Sequence, residues 1–266
     1  MSRPTLLACL TLALFPLAPG LQTGTQKSKA LLVAVTTGSG EAGGSDLVTL
    51  DPSDGRIETI GRIVPAQGHR LLQAQDLEWS ADGQTLIVTQ LAFDERNEGH
   101  TWIEWVDPAS LKVLRKSDVI AGVLDALAWD GRKRLLATHA TSRPQELLAL
   151  DPETGARTVL GAFDRRLWVR SLVWDANREE LWGLHQRTPE LDQDALVRLA
   201  PKDGALQQIV KLEMPELATA FALDSHGAII VTGNKGGTFQ VDPKTGQAVR
   251  AKMELGCVVN GLVPGR

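Results

Sequence analysis

The chain has 266 residues, a formal net charge of -4 and no Tyr, with 43% hydrophobic and 5% aromatic residues. This balance excludes a nucleic-acid binder that works by phosphate neutralisation, because no basic stripe is available to displace counterions. A chain of this length buries roughly 70–75% of its unfolded surface as one domain, and no low-complexity linker divides it.

Residues 1–25 stand apart from the expected fold. Arg3 gives a short basic start, residues 6–17 are an apolar run, and Ala18-Pro19-Gly20 supplies small residues for cleavage. The run is too short to cross a bilayer, so the segment reads as a secretory signal peptide and the protein as secreted or periplasmic, with no membrane span. Leu6-Leu7-Ala8-Cys9 has the look of a lipoprotein processing box, but it precedes the apolar run and reads as coincidence. Cleavage removes Cys9 and leaves Cys257 alone, so no disulfide is expected within the mature chain and Cys257 reads as a buried, inert thiol.

Residues 26–266 read as short β-strands from end to end, because apolar and polar residues alternate and a turn arrives before any helical period builds up. Three strands come first, at 30–36, 46–50 and 56–63. Four follow at 75–80, 85–90, 101–106 and 112–116. The cleanest unit is next: Leu-Asp-Ala-Leu-Ala-Trp-Asp, Arg-Leu-Leu-Ala-Thr-His-Ala, Gln-Glu-Leu-Leu-Ala-Leu-Asp-Pro and Arg-Thr-Val-Leu-Gly-Ala-Phe within 124–163. Two more sets of four occupy 170–212 and 219–253, and an orphan strand closes the chain at 257–263.

Two repeats run through these strands in phase. A third-strand ending, Leu150-Asp151-Pro152-Glu153-Thr154-Gly155, has counterparts that begin at Leu50, Val106, Leu199 and Val241. Asp caps such a turn, Pro fixes the next φ, and Gly takes the left-handed position that returns the chain. Leu111 stands in place of Gly in the second copy and Ala200 in place of Asp in the fourth, so those two turns are expected to differ in detail. The other repeat is a first-strand motif: Asp76-Leu77-Glu78-Trp79, Ala126-Leu127-Ala128-Trp129, Ser171-Leu172-Val173-Trp174 and Ala220-Phe221-Ala222-Leu223, with Asn260-Gly261-Leu262-Val263 as a fifth copy.

The repeats predict an all-β, five-bladed β-propeller with four antiparallel strands per blade. The orphan last strand completes the three-stranded opening blade, which closes the ring and hides two sheet edges. Four blades would require one unit to fail, and the six-bladed alternative needs strands that are not visible. The Leu-Asp-Pro-x-x-Gly endings and Leu-Ala-Trp-Asp first strands resemble secreted bacterial propeller repeats of the YVTN, NHL and quinoprotein-like groups. Residues 79–88, Trp-Ser-Ala-Asp-Gly-Gln-Thr-Leu-Ile-Val, are similar to the WD40-like repeat of the periplasmic TolB propeller. The resemblance covers nearly the whole mature chain but lies in turns and core positions, so it implies the fold and leaves the activity open.

In such a fold the entrances to the first strands and the exits of the second strands share one face, the top. His69, His100, His139 and His185 fall there, and His226 falls in a bottom turn. The residue before each first-strand motif, pointing to the channel mouth, is Gln75, Asp125, Arg170, Thr219 or Asn260, and every one is polar. The functional reading is a polar funnel in which Arg170 meets an anionic group and Asp125 and Asn260 supply further contacts. The plainer reading is a wet channel. Residues 64–74, 91–100 and 187–194 read as long, acidic top loops. Trp168, beside Arg165, Arg166 and Arg170, either stacks a ligand ring or packs under its loop. Trp79, Trp129 and Trp174 read as inter-blade core.

No cofactor is expected. The glycine-rich 38–45 lacks the lysine and helix of a phosphate loop, and His139, His185 and Asp125 would make a thin metal site, so no metal is expected either. A lactonase-like calcium set would want a Glu that is not evident, and Arg170 opposes a cation. The function expected is a monomeric binding module that recognises a protein partner or small ligand at the top face. The alternative is a lactonase-like hydrolase or lyase acting in the same funnel.

Overall fold

A computed structural model describes residues 32–37, 45–51, 56–63, 73–93, 98–131, 134–140, 144–224, 226–254 and 258–264. Residues 1–31, and with them the leader and Cys9, lie outside the described residues, as do His69 and Cys257.

Regular structure among the described residues is all strand. The opening blade holds β1 (Leu32–Thr37), β2 (Ser45–Leu50) and β3 (Ile57–Ile63). The second holds β4 (Gln73–Trp79), β5 (Leu86–Phe93), β6 (Gly99–Val106) and β7 (Val113–Lys116), and a two-residue strand that the repeats did not foretell, β8 (Ile120–Ala121), pairs with β6 beyond β7. The third is β9 (Val123–Trp129), β10 (Leu135–Ala140), β11 (Glu146–Leu150) and β12 (Arg157–Ala162). The fourth is β13 (Val169–Asp175), β14 (Glu180–His185), β15 (Ala195–Leu199) and β16 (Leu206–Lys211). The fifth is β17 (Ala218–Leu223), β18 (Ile229–Gly233), β19 (Gly237–Val241) and β20 (Ala248–Glu254), and β21 (Val259–Pro264) ends the chain's strands.

Every blade is an antiparallel sheet in chain order, and β21 pairs with β1 on the inner side of the opening blade, in the order β21-β1-β2-β3. Val33 lies opposite Val263 and Ala34 opposite Leu262, so the last strand zips the ring shut. The protein is a five-bladed β-propeller. The inner ring is β21, β4, β9, β13 and β17, each packed on the next and the last on the first.

Apolar faces hold neighbouring blades together, because period-2 alternation gives every strand one face for each neighbour. Val33, Val35 and Leu47 pack on Leu77, Leu86 and Val88 between the first two blades. Ala126 and Ala128 meet Leu172 and Leu181 between the third and fourth. Leu184 and Leu196 meet Phe221 and Val231 between the fourth and fifth. The small alanines are on innermost strands, where blades come closest.

The Asp-Pro turns are more alike than their sequences. The amide of Leu111 donates to the Asp107 carbonyl at 2.8 Å, as Gly155 does to Asp151, Gly204 to Ala200 and Gly246 to Asp242. Leu111 takes the same left-handed conformation, φ 57° against 73–77° for the three glycines. The expectation of a different turn is corrected at Leu111, where the backbone hydrogen bonds dictate the geometry and Leu111 accepts the left-handed cost while packing against the core shared by the first two blades. The Ala200 turn keeps the backbone bond but differs in lacking the side-chain cap and in a further contact from the Asp203 amide to the Ala200 carbonyl at 3.4 Å. In the intact copies the Asp caps the turn as expected, with Asp151 Oδ1 accepting from the amides of Glu153 and Thr154.

Candidate functional site: the polar mouth of the channel

The five polar positions share a backbone device. Pairing of each inner strand slips by one residue between Ala74 and Asp76, between Leu124 and Ala126, between Val169 and Ser171, between Ala218 and Ala220, and between Val259 and Gly261. The skipped residues are Gln75, Asp125, Arg170, Thr219 and Asn260. Each is the extra residue of a β-bulge, a device that bends a strand and re-aims one side chain.

A bulge frees a backbone N–H, and a buried N–H needs an acceptor. At four of the five bulges the residue before the bulge finds one on the preceding blade, at or near the start of its third strand. Ala74 donates to Ser45 Oγ at 2.9 Å, Leu124 to Thr101 Oγ1 at 3.2 Å, Val169 to Gln145 Oε1 at 2.6 Å and Ala218 to Asp194 Oδ2 at 2.7 Å. All four acceptors are buried. These side chains stitch blade to blade and fix where the bulge residue sits. Reading by repeats missed them, because four residue types serve one position and no identity recurs.

At the mouth itself, Arg170 reaches across from the fourth blade to the second. Its guanidinium donates to Gln75 Oε1 and to Gln186 Oε1, both at 3.4 Å. Gln75 is 3% exposed, and its Nε2 has no hydrogen-bond partner among the described residues. Asp125, 5% exposed, accepts from Gln145 Nε2 at 3.1 Å. Burial pushes its carboxyl up to about 6, with the Arg170 charge, the Gln145 hydrogen bond and His139 pulling the other way. Asn260 donates to the Ala74 carbonyl at 3.0 Å and ties the closing strand to the second blade. Thr219 turns back to its own blade and bonds Thr232. Gln75, Asp125 and Arg170 therefore form the chemical core of the mouth.

Beneath them lies Asp76, fully enclosed. Its two carboxylate oxygens accept from the amides of Leu77 and Leu127 at 2.9 and 2.8 Å, while burial holds its carboxyl well above the usual carboxylate range. Asp76 fits because Gly261 faces it: a Cβ there would come within 2.7 Å of the Asp76 Cα.

The histidines and Trp168 have hydrogen-bond partners of their own outside this group. His139 lies opposite Leu124 and His185 opposite Val169, at the top end of their blades. His139 Nε2 faces the Ala121 carbonyl at 2.9 Å and its Nδ1 faces Glu146 at 3.4 Å. His185 Nδ1 accepts from the Trp168 amide at 3.0 Å, and its Nε2 lies 3.5 Å from the Leu191 carbonyl. Both imidazoles thus engage their own surroundings. No cluster of three or more potential metal-ligating side chains occurs among the described residues. The 187–194 segment is tighter than a mobile acidic loop: Thr188 and Leu191 bridge, and Asp194 is buried between two amides. Residues 94–97 and 64–72 lie outside the described residues.

The opposite end of the channel differs in kind. There the inner strands bring Trp79, Trp129, Trp174, Leu223 and Pro264, at or next to their ends, around a cavity of about 250 Å³. The indole N–H of Trp79 donates to the Pro264 carbonyl at 2.8 Å and that of Trp129 to the Trp79 carbonyl at 2.6 Å, each reaching to the preceding blade. The tryptophans are inter-blade packing, as expected, and Trp129 and Trp174 are half-buried cavity walls as well. A larger cavity of about 390 Å³ lies outside the channel between the second and third blades. Arg115 covers it, stacked 3.8 Å from the Trp105 ring and paired with Glu153, so its polar groups are engaged.

No protein-family model matches the sequence, and no curated protein matches it. Among solved structures, a protein of unknown function from Bacteroides caccae is similar at 13% identity and a TM-score of 0.54, over 90% of this chain and 100% of that one. A chain of the nidogen/laminin complex is similar at 13% identity and a TM-score of 0.53, over 89% and 98%. TolB from Acinetobacter baumannii aligns at 10% identity and a TM-score of 0.49, over 88% of this chain and 66% of that one. The likeness is one of fold.

Proposed function

We propose that this protein is a binding module that takes a small ligand or a protein partner at the polar mouth, with Arg170 meeting an anionic group. The observation that carries this reading is the bulge ring. Five bulges present five different polar side chains at one end of the channel, where packing alone would accept small residues such as the Ala126, Ser171 and Ala220 that follow them. Gln75 adds a buried amide with donor capacity to spare, and a ligand oxygen between it and Arg170 would satisfy both groups. Secretion or a periplasmic location, by way of residues 1–25 as a signal peptide, and a monomeric state belong to the same proposal. N-terminal sequencing of exported protein and sedimentation analysis test them.

A calorimetric screen of small carboxylates and phosphates against the wild type and Arg170→Gln tests the site. The expected result is at least one anion whose affinity falls by about tenfold or more in the variant, the cost of losing a charged hydrogen bond. Equal affinity of every bound anion for both proteins overturns the reading.

Asp125 favours a second reading, a lactonase-like hydrolase or lyase. A buried carboxyl that titrates near 6 beside a guanidinium is poised for proton transfer near neutral pH. Turnover of lactone or ester substrates that disappears in Asp125→Asn while the fold persists would support it, and absence of turnover across the screen would leave binding as the function.

A further inference from the structure

The Trp-lined cavity at the other end of the channel is a separate place with its own chemistry. Its walls come from equivalent positions on all five blades: Trp79, Trp129, Trp174, Leu223 and Pro264. Among the described residues that line it, Glu78 is the one with a charged side chain. Packing explains the indole hydrogen bonds of Trp79 and Trp129. It also sets the edge of the Trp174 indole against Gly131 of the preceding blade, yet Trp129 and Trp174 keep part of their surface open to the space at the ring's centre.

Three features define what fits. The volume, about 250 Å³, is below that of pockets for drug-sized ligands, so the guest is small. Aromatic faces carry negative quadrupole charge and attract cations, and tryptophan does so best. A carboxylate beside them adds attraction for a positive charge and repels anions. The walls also lack a directional pattern of donors and acceptors, unlike the polar mouth. A guest that offers the same apolar, positively charged surface in every direction suits such walls; an ammonium ion, which needs directed acceptors, does not.

We propose that this cavity binds a small quaternary ammonium compound. The positive charge, spread over methyl groups, sits among Trp79, Trp129 and Trp174, with Glu78 as counter-charge. The inference does not depend on what the polar mouth binds, and either can fail without the other.

The probes are tetramethylammonium and choline, with 3,3-dimethyl-1-butanol as the uncharged isostere of choline, titrated into the full chain by calorimetry and tryptophan fluorescence. The expected result is saturable binding of both cations and at least about tenfold weaker binding of the isostere. Trp174→Leu should abolish the response. Glu78→Gln keeps the side-chain shape and the acceptor for the Trp79 amide, so it should fold and still weaken choline by about threefold to tenfold. Isostere and choline binding alike, or choline binding unchanged in Glu78→Gln and Trp174→Leu, overturns the proposal, as does no binding of either cation to folded wild type. If Trp174→Leu fails to fold, the isostere comparison on wild type and the Glu78→Gln titration decide the matter.

Discussion

The two ends of the channel are made from the same five strands, and they are opposites. At one end each strand bulges and re-aims a different polar residue: Asn260, Gln75, Asp125, Arg170, Thr219. At the other the strands finish on or beside apolar residues: Trp79, Trp129, Trp174, Leu223 and Pro264. A repeat position filled by similar apolar residues reports what the blades share, which is here packing on the neighbouring blade, with the indoles of Trp79 and Trp129 reaching to the blade before. A repeat position filled by five unlike polar residues reports what single blades supply. The first is symmetric and suits a guest with no orientation. The second is asymmetric, and it can hold a ligand one way round.

This contrast predicts that changes at the polar end have individual consequences. The largest concerns the floor of the mouth. Gly261→Ala would push a methyl into the Asp76 backbone, and overpacking of this kind should cost about 3 kcal/mol in urea unfolding. Because Gly261 belongs to the closing strand, a silent substitution would break the account of closure.

Asp125→Asn comes next. The folded-state carboxyl titrates near 6, above its ordinary 3.8, so the native state holds the proton more tightly than the unfolded state does. The stability it contributes is therefore full below about 4 and is lost as the pH rises through 6, by about 2–3 kcal/mol. Unfolding measured from pH 4 to 7 should show this slope in the wild type and a flatter one in Asp125→Asn.

Gln145→Ala should cost about 2 kcal/mol, because the Val169 amide is left buried without its acceptor. The same variant removes a hydrogen bond that lowers the Asp125 pKa, so the Asp125 titration should move above 6. A fall in that pKa would contradict the stitch. At the apolar end the effects should be milder and interchangeable: Trp129→Phe loses one bond to the Trp79 carbonyl and should cost about 1 kcal/mol.

Much of this arrangement is legible in the sequence, for physical reasons that differ by residue. The ring and its closure follow from Asp-Pro turns and Trp-ended strands, since turn chemistry and period-2 alternation leave local marks. Gln75, Asp125, Arg170, Thr219 and Asn260 are legible as a set because each is a polar residue just before an apolar strand motif. That they are bulges is not, since a bulge is a property of pairing with the next strand. The stitches at Ser45, Thr101, Gln145 and Asp194 are equally hidden: any short acceptor serves, so Ser, Thr, Gln and Asp alternate freely. His139 and His185 look alike in the repeat, yet each ring is held by its own neighbours, Ala121 and Glu146 in one case and Trp168 in the other. Leu111 shows the reverse error: its sequence predicts a different turn, and backbone hydrogen bonding overrides the side chain.

The most direct measurement is a pair of titrations followed by heteronuclear NMR on one sample, first with the small anion selected by the calorimetric screen and then with tetramethylammonium. The account predicts that the anion shifts the Arg170 Nε and Gln75 side-chain amide resonances and leaves the Trp129 and Trp174 indoles in place, and that the cation does the opposite. If both ligands move the same resonances, or the anion leaves Arg170 and Gln75 untouched, the polar mouth is not the binding site.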